Sequence, residues 1–277
     1  DTEQVLMDVE THLTGLTLEQ FYEQSFLYMS NRDDENAIAE GLTDQFDPET
    51  VSLADVSDER SQQDFAISNK ILEMLNTYDP TALSEQARLS YDIYHRHLSN
   101  AKENSQYLHF SYPATYIFLG WPSHTESFFT QVFTIGSLKH AEIYLALLNQ
   151  IERRFTQVET LLETRRQAGI IEPKFTLATS RDKVVSMGNT AASNTIYYQN
   201  FMAQISNLTD LDSQTRTRLE AQLLATLNQK VLPAYQSLGQ MLSQLYSQAP
   251  KTIGFGQFEG GEAYYQSRLR YFTSSDK

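Results

Sequence analysis

Apolar side chains recur every three or four residues along most of the chain, a spacing that places them on one face of an α-helix. The pattern is most regular over residues 137–169, at Leu138, Ala141, Leu145, Leu148, Ile151, Phe155, Val158 and Leu162. Arg165 and Arg166 near its end suit the negative pole of a helix dipole. Gly169 can adopt the left-handed conformation just beyond a helix, and Pro173 blocks continuation. These signals predict one buried helix of roughly 45 Å, at about 1.5 Å per residue.

A second long amphipathic segment begins near Asp212. Its apolar face is formed by leucines, at Leu219, Leu223, Leu227, Leu232, Leu238, Leu242 and Leu245. Pro233 lies inside this segment, and a proline ring clashes with the carbonyl group four residues earlier. The sequence therefore predicts a kink or a break near Gln229.

Shorter stretches with helical spacing predict further helices over residues 18–29, 65–75, 85–104, 175–187, 192–206 and 262–272. Thr17 and Ser84 precede two of them, and their hydroxyl groups can cap the free N–H groups of a helix start. In the helix after Ser84, the apolar pattern continues through Leu89, Ile93 and Leu98.

The least regular stretch is residues 107–136, which is rich in aromatic residues and contains prolines and glycines. It fits either a short strand pair or an extended loop packed on helices. A sub-boundary near 106–136 is the only candidate division of a single helical lobe over residues 1–277. The whole pattern predicts a mostly α, multi-helical, elongated lobe with two long helices and little or no β structure.

The amino-acid composition limits the kinds of partner and chemistry that the protein can have. The net charge of −14 argues against nucleic acid, because nucleic-acid binding depends on Lys and Arg replacing counterions. No apolar run reaches the roughly 18 residues of a membrane span. The chain has no cysteine, which excludes disulfides, thiolate chemistry and cysteine-ligated metals but leaves the compartment open.

No catalytic or metal-binding residue is predicted within the chain. His95 and His97 are two positions apart, so on a helix they point to nearly opposite faces. Asp92 and His95 have the spacing found in di-iron bundles, but the further Glu-x-x-His motifs that such sites need are missing. His140 and Glu142 do not form the H-E-x-x-H pattern of zinc peptidases. The histidines are therefore predicted to be structural.

Glycines surround the start of the last predicted helix. Gly260 and Gly261 permit close backbone approach, and free N–H groups at a helix start favour an anion such as a substrate carboxylate. The alternative is that the glycines only turn the chain so that Tyr264, Tyr265 and Leu269 can pack.

Four stretches in this order resemble the bacterial family catalogued as domain of unknown function 885. They are YDPTALSEQARLSYDIYHRHL, AEIYLALLNQIERRFTQVETLLETRRQAGIIEP, KVLPAYQSLGQMLSQLY and GFGQFEGGEAYYQSRLRYFTSSD. The similarity runs from about Leu16 onward. It is strongest in L-P-A-Y at residues 232–235, A-G-I-I-E-P at 168–173 and G-G-E-A-Y-Y at 260–265.

The resemblance implies a zincin-like metallopeptidase with a helical, two-lobed body around a deep channel. Family members are about twice as long and continue, after a segment matched here by residues 273–276, into a half that carries the zinc ligands. By this resemblance the present chain is the N-terminal substrate-channel or scaffold half, inactive alone. Zinc is then expected only in the missing C-terminal catalytic half, which would be its partner.

The resemblance also suggests a substrate. A peptide would contact the residues nearest the catalytic half, namely Gly260, Gly261, Tyr264, Tyr265 and Arg268. Tyrosine suits this role because the phenol group can bond to peptide amides while the ring covers apolar side chains. Many relatives carry a lipoprotein-type export signal, so a periplasmic or envelope-anchored location is expected, with a cytoplasmic location as the alternative.

Two other functions stay open at this stage. The chain fits a non-catalytic helical binding or scaffold protein of the bacterial cell envelope, and a standalone enzyme is the least favoured reading of the residues. A lobe that belongs to a larger body should expose an extended apolar or aromatic face. That face is expected around residues 107–136 and 255–272.

Overall fold

The computed structural model describes residues 1–116 and 120–273, and every regular element in these two stretches is helical. The α-helices are α1 (Thr2–Leu13), α2 (Leu18–Ser30), α3 (Asp34–Ala39), α4 (Asp58–Leu75), α5 (Glu85–Asn104), α6 (Trp121–Ser127), α7 (Leu138–Leu148), α8 (Ile151–Gln167), α9 (Lys174–Gly188), α10 (Ile196–Ser206), α11 (Ser213–Thr226), α12 (Leu232–Gln248) and α13 (Gly261–Thr273). The predicted mostly α, multi-helical class is confirmed. The predicted match of residues 273–276 to a family segment lies outside the described residues after Thr273.

Local capping signals account for where several helices begin and end. Thr17 and Gln20 form a reciprocal capping box at the start of α2. The Ser84 hydroxyl accepts a hydrogen bond from the Ala87 N–H at the start of α5. At the end of α8, Gly169 has a φ of 77°, and the N–H groups of Gly169 and Ile170 return to carbonyls of the last turn. These predicted helix ends are confirmed.

The segment predicted as one helix over residues 137–169 is two helices, α7 and α8, separated by Asn149 and Gln150. The Gln150 N–H bonds to the carbonyl three residues earlier, at Leu147, which tightens the turn. The Gln150 side chain donates to the Val51 carbonyl and accepts from the Leu53 N–H. Because the apolar face stays in phase across this turn, the hydrophobic pattern did not reveal the interruption.

The second predicted long segment stays continuous around its proline. Helices α11 and α12 are joined by a π-helical turn, Leu227–Val231, and Pro233 lies in the first turn of α12. A π turn contains one extra residue, which gives the chain a way to accommodate the proline without ending the helix. The distortion predicted near Gln229 is therefore present as a wide turn rather than as a break.

The described part of residues 107–136 contains no strand, which leaves the packed-loop alternative. A tight loop comes first, in which the Gly120 N–H bonds to the Thr115 carbonyl and the Trp121 N–H bonds to the Pro113 carbonyl. A Cβ atom at Gly120 would lie 2.5 Å from the Thr115 backbone, so only glycine fits. Helix α6 follows and continues into a second π-helical turn, Phe128–Val132.

The chain divides into two compact units. Unit 1 comprises residues 1–32, 57–111 and 255–277, and unit 2 comprises residues 33–56 and 112–254. One crossing between them, after Ser111, lies within the range 106–136 that was proposed as a sub-boundary. The hypothesis of a single lobe over residues 1–277 stays a prediction.

Each unit has its own apolar core. The core of unit 1 is built from α1, α2, α4 and α5, with buried side chains at Val9, Leu13, Leu18, Phe21, Ile67, Ile71, Leu72, Leu75, Tyr91 and Leu98. The core of unit 2 is formed mainly by α7 to α12. Helices α9 and α12 approach closely at two glycines, since a Cβ atom at Gly188 or Gly239 would lie 3.0 Å from the facing helix.

Candidate functional site

Helix α13 in unit 1 carries an exposed aromatic face that also holds one cation. Tyr265, Leu269, Tyr271 and Phe272 are exposed, with 74% of Phe272 accessible to solvent. The guanidinium carbon of Arg268 lies 4.7 Å from the ring centres of both Tyr271 and Phe272. We call these five residues the α13 surface. Its rings offer apolar area, and its guanidinium group offers hydrogen-bond donors held by cation–π contacts.

Tyr264, in the first turns of α13, packs into an aromatic cluster. The Tyr264 ring lies 4.8 Å from Phe255, 5.0 Å from Phe110 and 5.5 Å from Tyr107, measured between ring centres. Burial raises the pKa of the Tyr264 phenol, and the charge of Arg268 opposes this shift. Tyr264 therefore anchors α13, whereas Tyr265 and Arg268 face solvent or are only partly covered.

The two glycines before this helix make a tight turn. Gly260 has a φ of 76°, in the left-handed region that favours glycine. A Cβ atom at Gly261 would lie 1.7 Å from the Phe255 carbonyl oxygen. The structure thus brings Gly260, Gly261 and Tyr264 together in a packed corner. This geometry favours the packing alternative for these three residues and leaves Tyr265 and Arg268 as the accessible members of the predicted set.

A groove of about 460 Å³ runs between α5 and α13, still within unit 1. Its lining residues are mostly polar and comprise Asp92, Ile93, His95, Arg96, Ser99, Asn100, Glu103 and Arg270. Arg270 and Glu103 form an ion pair across it, and the Ser267 hydroxyl reaches Asn104 at 3.4 Å. These contacts dock α13 on α5. We call this feature the α5–α13 groove.

The groove was not predicted, because the apolar pattern of α5 placed Leu89 and Ile93, together with Leu98, on the buried face. Leu89 and Ile93 are exposed, whereas Tyr91 and Leu98 are buried. Tyr94 shares the packed side, with its hydroxyl group 2.8 Å from the Ser25 hydroxyl. The signal that could have found the groove was the run of tyrosines, which supply apolar area on the packed face while the aliphatic residues remain outside.

A half-buried carboxylate and three tyrosines form a second polar cluster, in unit 2. Glu126 accepts hydrogen bonds from the Tyr116 hydroxyl at 2.6 Å and the Tyr235 hydroxyl at 3.1 Å. The Tyr197 and Tyr235 hydroxyls lie 2.7 Å apart. Burial raises the pKa of Glu126, while the two phenol donors and the charge of Lys183 lower it in part. This cluster ties α6, α10 and α12 together and was not predicted.

The motifs that carry the family resemblance have structural roles here. Tyr235 of L-P-A-Y belongs to the Glu126 cluster, and Gly169 of A-G-I-I-E-P ends α8. Glu172 of the same motif is buried, and neither of its carboxylate oxygens has a hydrogen-bond partner among the described residues. Burial raises the pKa of Glu172.

The Glu172→Gln variant is expected to gain stability relative to the unmodified protein as the pH rises from about 4, near the unfolded-state pKa of a glutamate, through the higher folded-state pKa. The folded-state pKa of Glu172 lies above its unfolded value, so the native state holds the extra proton between the two. The free energy of unfolding contributed by this residue is therefore lost as pH rises through that window. Urea unfolding of both proteins across this range measures the difference. A difference that stays constant with pH would contradict the raised pKa.

Three histidines each lie beside a different carboxylate. The His140 Nε2 atom is 2.8 Å from the Asp44 Oδ1 atom, and Glu142 pairs instead with Arg218. The other two pairs are longer, at 3.6 Å for His124 with Glu35 and 3.8 Å for His109 with Asp58. His95 and His97 stack on separate tyrosines of α5.

Three or more His, Asp or Glu side chains do not come together as a metal-binding cluster anywhere in residues 1–116 or 120–273. Tetrahedral zinc sites in proteins take three or four such ligands at about 2 Å from the metal. The described residues therefore do not fit a zinc ion.

The predicted exposed face is found in one of its two regions. Among the described residues of 255–272, the α13 surface is exposed. Among the described residues of 107–136, Val132 is the single large apolar residue whose side chain is exposed. Apart from Val132, the described large apolar side chains of residues 107–136 are thus buried or half-buried, while α13 presents an open face.

A family model described as "Bacterial protein of unknown function (DUF885)" matches residues 35–277. The chain belongs to this family. No match was found among proteins of curated function. A crystal structure described as "the putative lipoprotein from Colwellia psychrerythraea" superposes with a TM-score of 0.78 at 17% sequence identity.

That superposition covers 100% of this DUF885 chain and 47% of the Colwellia protein, so the chain spans about half the length of its structural relative. At this identity the likeness establishes a shared helical fold. In addition, none of the DUF885 helices in the described stretches is both long and apolar enough to cross a membrane.

Proposed function

We propose that this DUF885 chain is the substrate-channel and scaffold half of a zinc-dependent peptidase. Peptide substrate binds along the α13 surface and the α5–α13 groove, and zinc is held by a catalytic half outside these residues. The observation that carries the proposal is the open aromatic face of α13 beside a polar groove on one unit. The alignment of the entire chain with half of a longer helical protein supports a two-part body.

The chemistry of the α5–α13 groove suits a peptide. A peptide backbone presents alternating donors and acceptors, so its site needs both. Ser99 and Asn100 offer both kinds of group, and exposed Ile93 offers apolar contact. The volume of about 460 Å³ lies in the range of ligand sites and would hold a short stretch of chain.

The α13 surface would orient a bound peptide and provide apolar contact with its side chains. Tyr265 can cover a substrate side chain while its hydroxyl group meets solvent or an amide. Arg268 is held between two rings, so its donors are directed with little loss of side-chain entropy on binding. These residues bind and position a peptide, and bond cleavage is assigned to the other half.

A location in the cell envelope accompanies this proposal. Its support is the description of the Colwellia relative as "the putative lipoprotein". Fractionation of cells that express the protein from its complete native gene tests it, with the envelope fraction as the expected result. Recovery in the cytosol would contradict the envelope assignment without affecting the peptide site.

Tyr265→Ala, made in the polypeptide that includes the catalytic half, should raise KM for peptide cleavage about tenfold and leave kcat nearly unchanged. Loss of an exposed aromatic contact removes binding made equally in the ground and transition states, and a tenfold change corresponds to about 1.4 kcal/mol. Phe26→Ala is the matched control, because Phe26 is similarly exposed on α2 of the same unit. Peptide-library cleavage and elemental analysis supply the measurements.

Three results separate the alternatives. Cleavage by the 277-residue chain alone would show that its own residues perform catalysis, contrary to the proposal. A longer polypeptide that contains no zinc and cleaves no peptide would favour the envelope scaffold function instead. An equal rise of KM in the Phe26 and Tyr265 variants would remove the α13 surface from the substrate site.

A further inference from the structure

The most exposed large apolar side chains among the described residues of unit 2 are Phe175 and Ile253, with 76% and 71% of each accessible to solvent. Phe175 lies in the first turn of α9, and Ile253 follows the end of α12. The two segments are joined by a hydrogen bond of 2.8 Å from the Lys174 N–H to the Pro250 carbonyl. Both apolar side chains are thus presented by neighbouring stretches of backbone.

Cations accompany these two side chains. The Lys174 Nζ atom lies 4.8 Å from the centre of the Tyr246 ring, and the Arg181 guanidinium carbon lies 4.0 Å from it. Lys251 is exposed beside Pro250. Arg181 also pairs with Asp182 at 2.6 Å, so the two lysines carry most of the uncompensated charge. We call Lys174, Phe175, Lys251 and Ile253 the α9 patch.

We propose that the α9 patch is a peripheral membrane-contact site for a bilayer that contains anionic lipids. Phe175 and Ile253 insert into the headgroup region, and Lys174 and Lys251 contact lipid phosphates. This inference uses unit 2 residues and is independent of the peptide site on unit 1.

Area and charge both favour a bilayer over a protein partner. Two side chains expose together roughly 300 Å² at most, whereas a stable protein interface buries about 800 Å² on each partner. Membrane-surface contacts work with small apolar insertions when cations flank them, because each lysine near an anionic surface contributes about a fivefold gain in binding. Tyr246 keeps the Lys174 charge at the surface by a cation–π contact.

The net charge of −14 does not prevent such binding. Interactions between exposed charges separated by more than about 10 Å are largely screened at 0.1 M salt. Carboxylates elsewhere on the protein are therefore repelled only weakly by the anionic lipids, whereas the lysines of the patch contact those lipids directly. The net negative charge predicts that binding to anionic vesicles is strongest at moderate ionic strength. It also predicts that the protein binds only when the α9 patch faces the membrane.

Co-sedimentation of the 277-residue chain with lipid vesicles tests the proposal. Binding is expected to vesicles of phosphatidylcholine mixed with phosphatidylglycerol, and much less to phosphatidylcholine alone. Phe175→Ser combined with Ile253→Ser should weaken the partition coefficient at least tenfold. Lys174→Gln combined with Lys251→Gln should weaken it about 25-fold on anionic vesicles, at about fivefold for each lysine. The matched control is Met7→Ser with Phe26→Ser, two exposed apolar positions of unit 1, which should bind like the unmodified protein.

Four outcomes would overturn the proposal. They are failure to bind anionic vesicles, equal loss in the control variant, displacement by soluble glycerophosphate, and a dimer in sedimentation velocity that the Phe175 and Ile253 substitutions dissociate. Displacement by glycerophosphate would indicate a site for a soluble anion. A dimer that these substitutions dissociate would indicate a contact between copies of the chain. Because all six substituted positions are exposed or only partly covered, circular dichroism should show an unchanged fold for every variant.

Discussion

Glu35→Ala should lower the free energy of unfolding by about 3–5 kcal/mol. Glu35 is 4% exposed and Arg154 is fully buried, and the Arg154 Nη2 atom lies 2.7 Å from the Glu35 Oε1 atom. A guanidinium group cannot release its proton at accessible pH. Removal of the carboxylate therefore leaves a buried charge without a counter-ion. This lowers the free energy of unfolding more than replacement of both charged residues would.

The other contacts of Arg154 do not replace the lost charge. Its Nη2 atom donates to the Ala54 carbonyl at 3.1 Å, and the guanidinium carbon lies 5.8 Å from the Trp121 ring centre. Both are interactions with dipoles or with a ring quadrupole, which are weaker than a buried ion pair. Trp121 is the single tryptophan of the chain, so its fluorescence during denaturant unfolding reports directly on this region of unit 2.

Two companion variants make this prediction specific. Asp92→Ala breaks the exposed pair with Arg88 and should change stability by at most about 0.5 kcal/mol. Glu35→Leu combined with Arg154→Met removes both charges and should recover most of the loss, since apolar replacements can substitute for a buried pair. If Glu35→Ala proved as mild as Asp92→Ala, the pair would not be desolvated in solution.

Gly261→Ala should destabilise unit 1 by about 3 kcal/mol. The added Cβ atom would lie 1.7 Å from the Phe255 carbonyl oxygen, so the backbone itself must move. The Gly261 N–H bonds to the Phe258 carbonyl and the Phe258 N–H bonds to the Phe255 carbonyl, both at 2.9 Å. A shift at Phe255 therefore disrupts the whole corner and loosens the contact of α13 with Tyr107 and Phe110.

Gly256→Ala is the control for this second prediction. No atom lies within 4 Å of a Cβ placed at Gly256, and its φ is not in the left-handed region. We expect a change within about 0.5 kcal/mol. Hydrogen exchange of the α13 amides gives the local measurement, with faster exchange expected in Gly261→Ala alone. Equal exchange in the two variants would mean that the corner relaxes freely and that Gly261 has no packing role.

The sequence predicted only part of the candidate peptide site. The G-G-E-A-Y-Y motif indicated the right segment, and the structure leaves Tyr265 and Arg268 of that segment accessible. The motif did not indicate that Gly261 is buried and Tyr264 half-buried, because a helix start and a packed corner use the same residue types. The α5–α13 groove depends on the pairing of Arg270 with Glu103, which are distant in sequence.

The sequence by itself determined the helical class, the helix caps at Thr17 and Ser84 and the end of α8 at Gly169, because these signals act within about four residues. Only the tertiary structure decided where the 137–169 segment is interrupted, which face of α5 is buried and how Arg154 is neutralised. Each of these depends on a partner far along the chain, such as Val51 for Gln150 or Glu35 for Arg154. Hydrophobic periodicity records that a face is covered, and the identity of the covering residue is set by the packing of the whole unit.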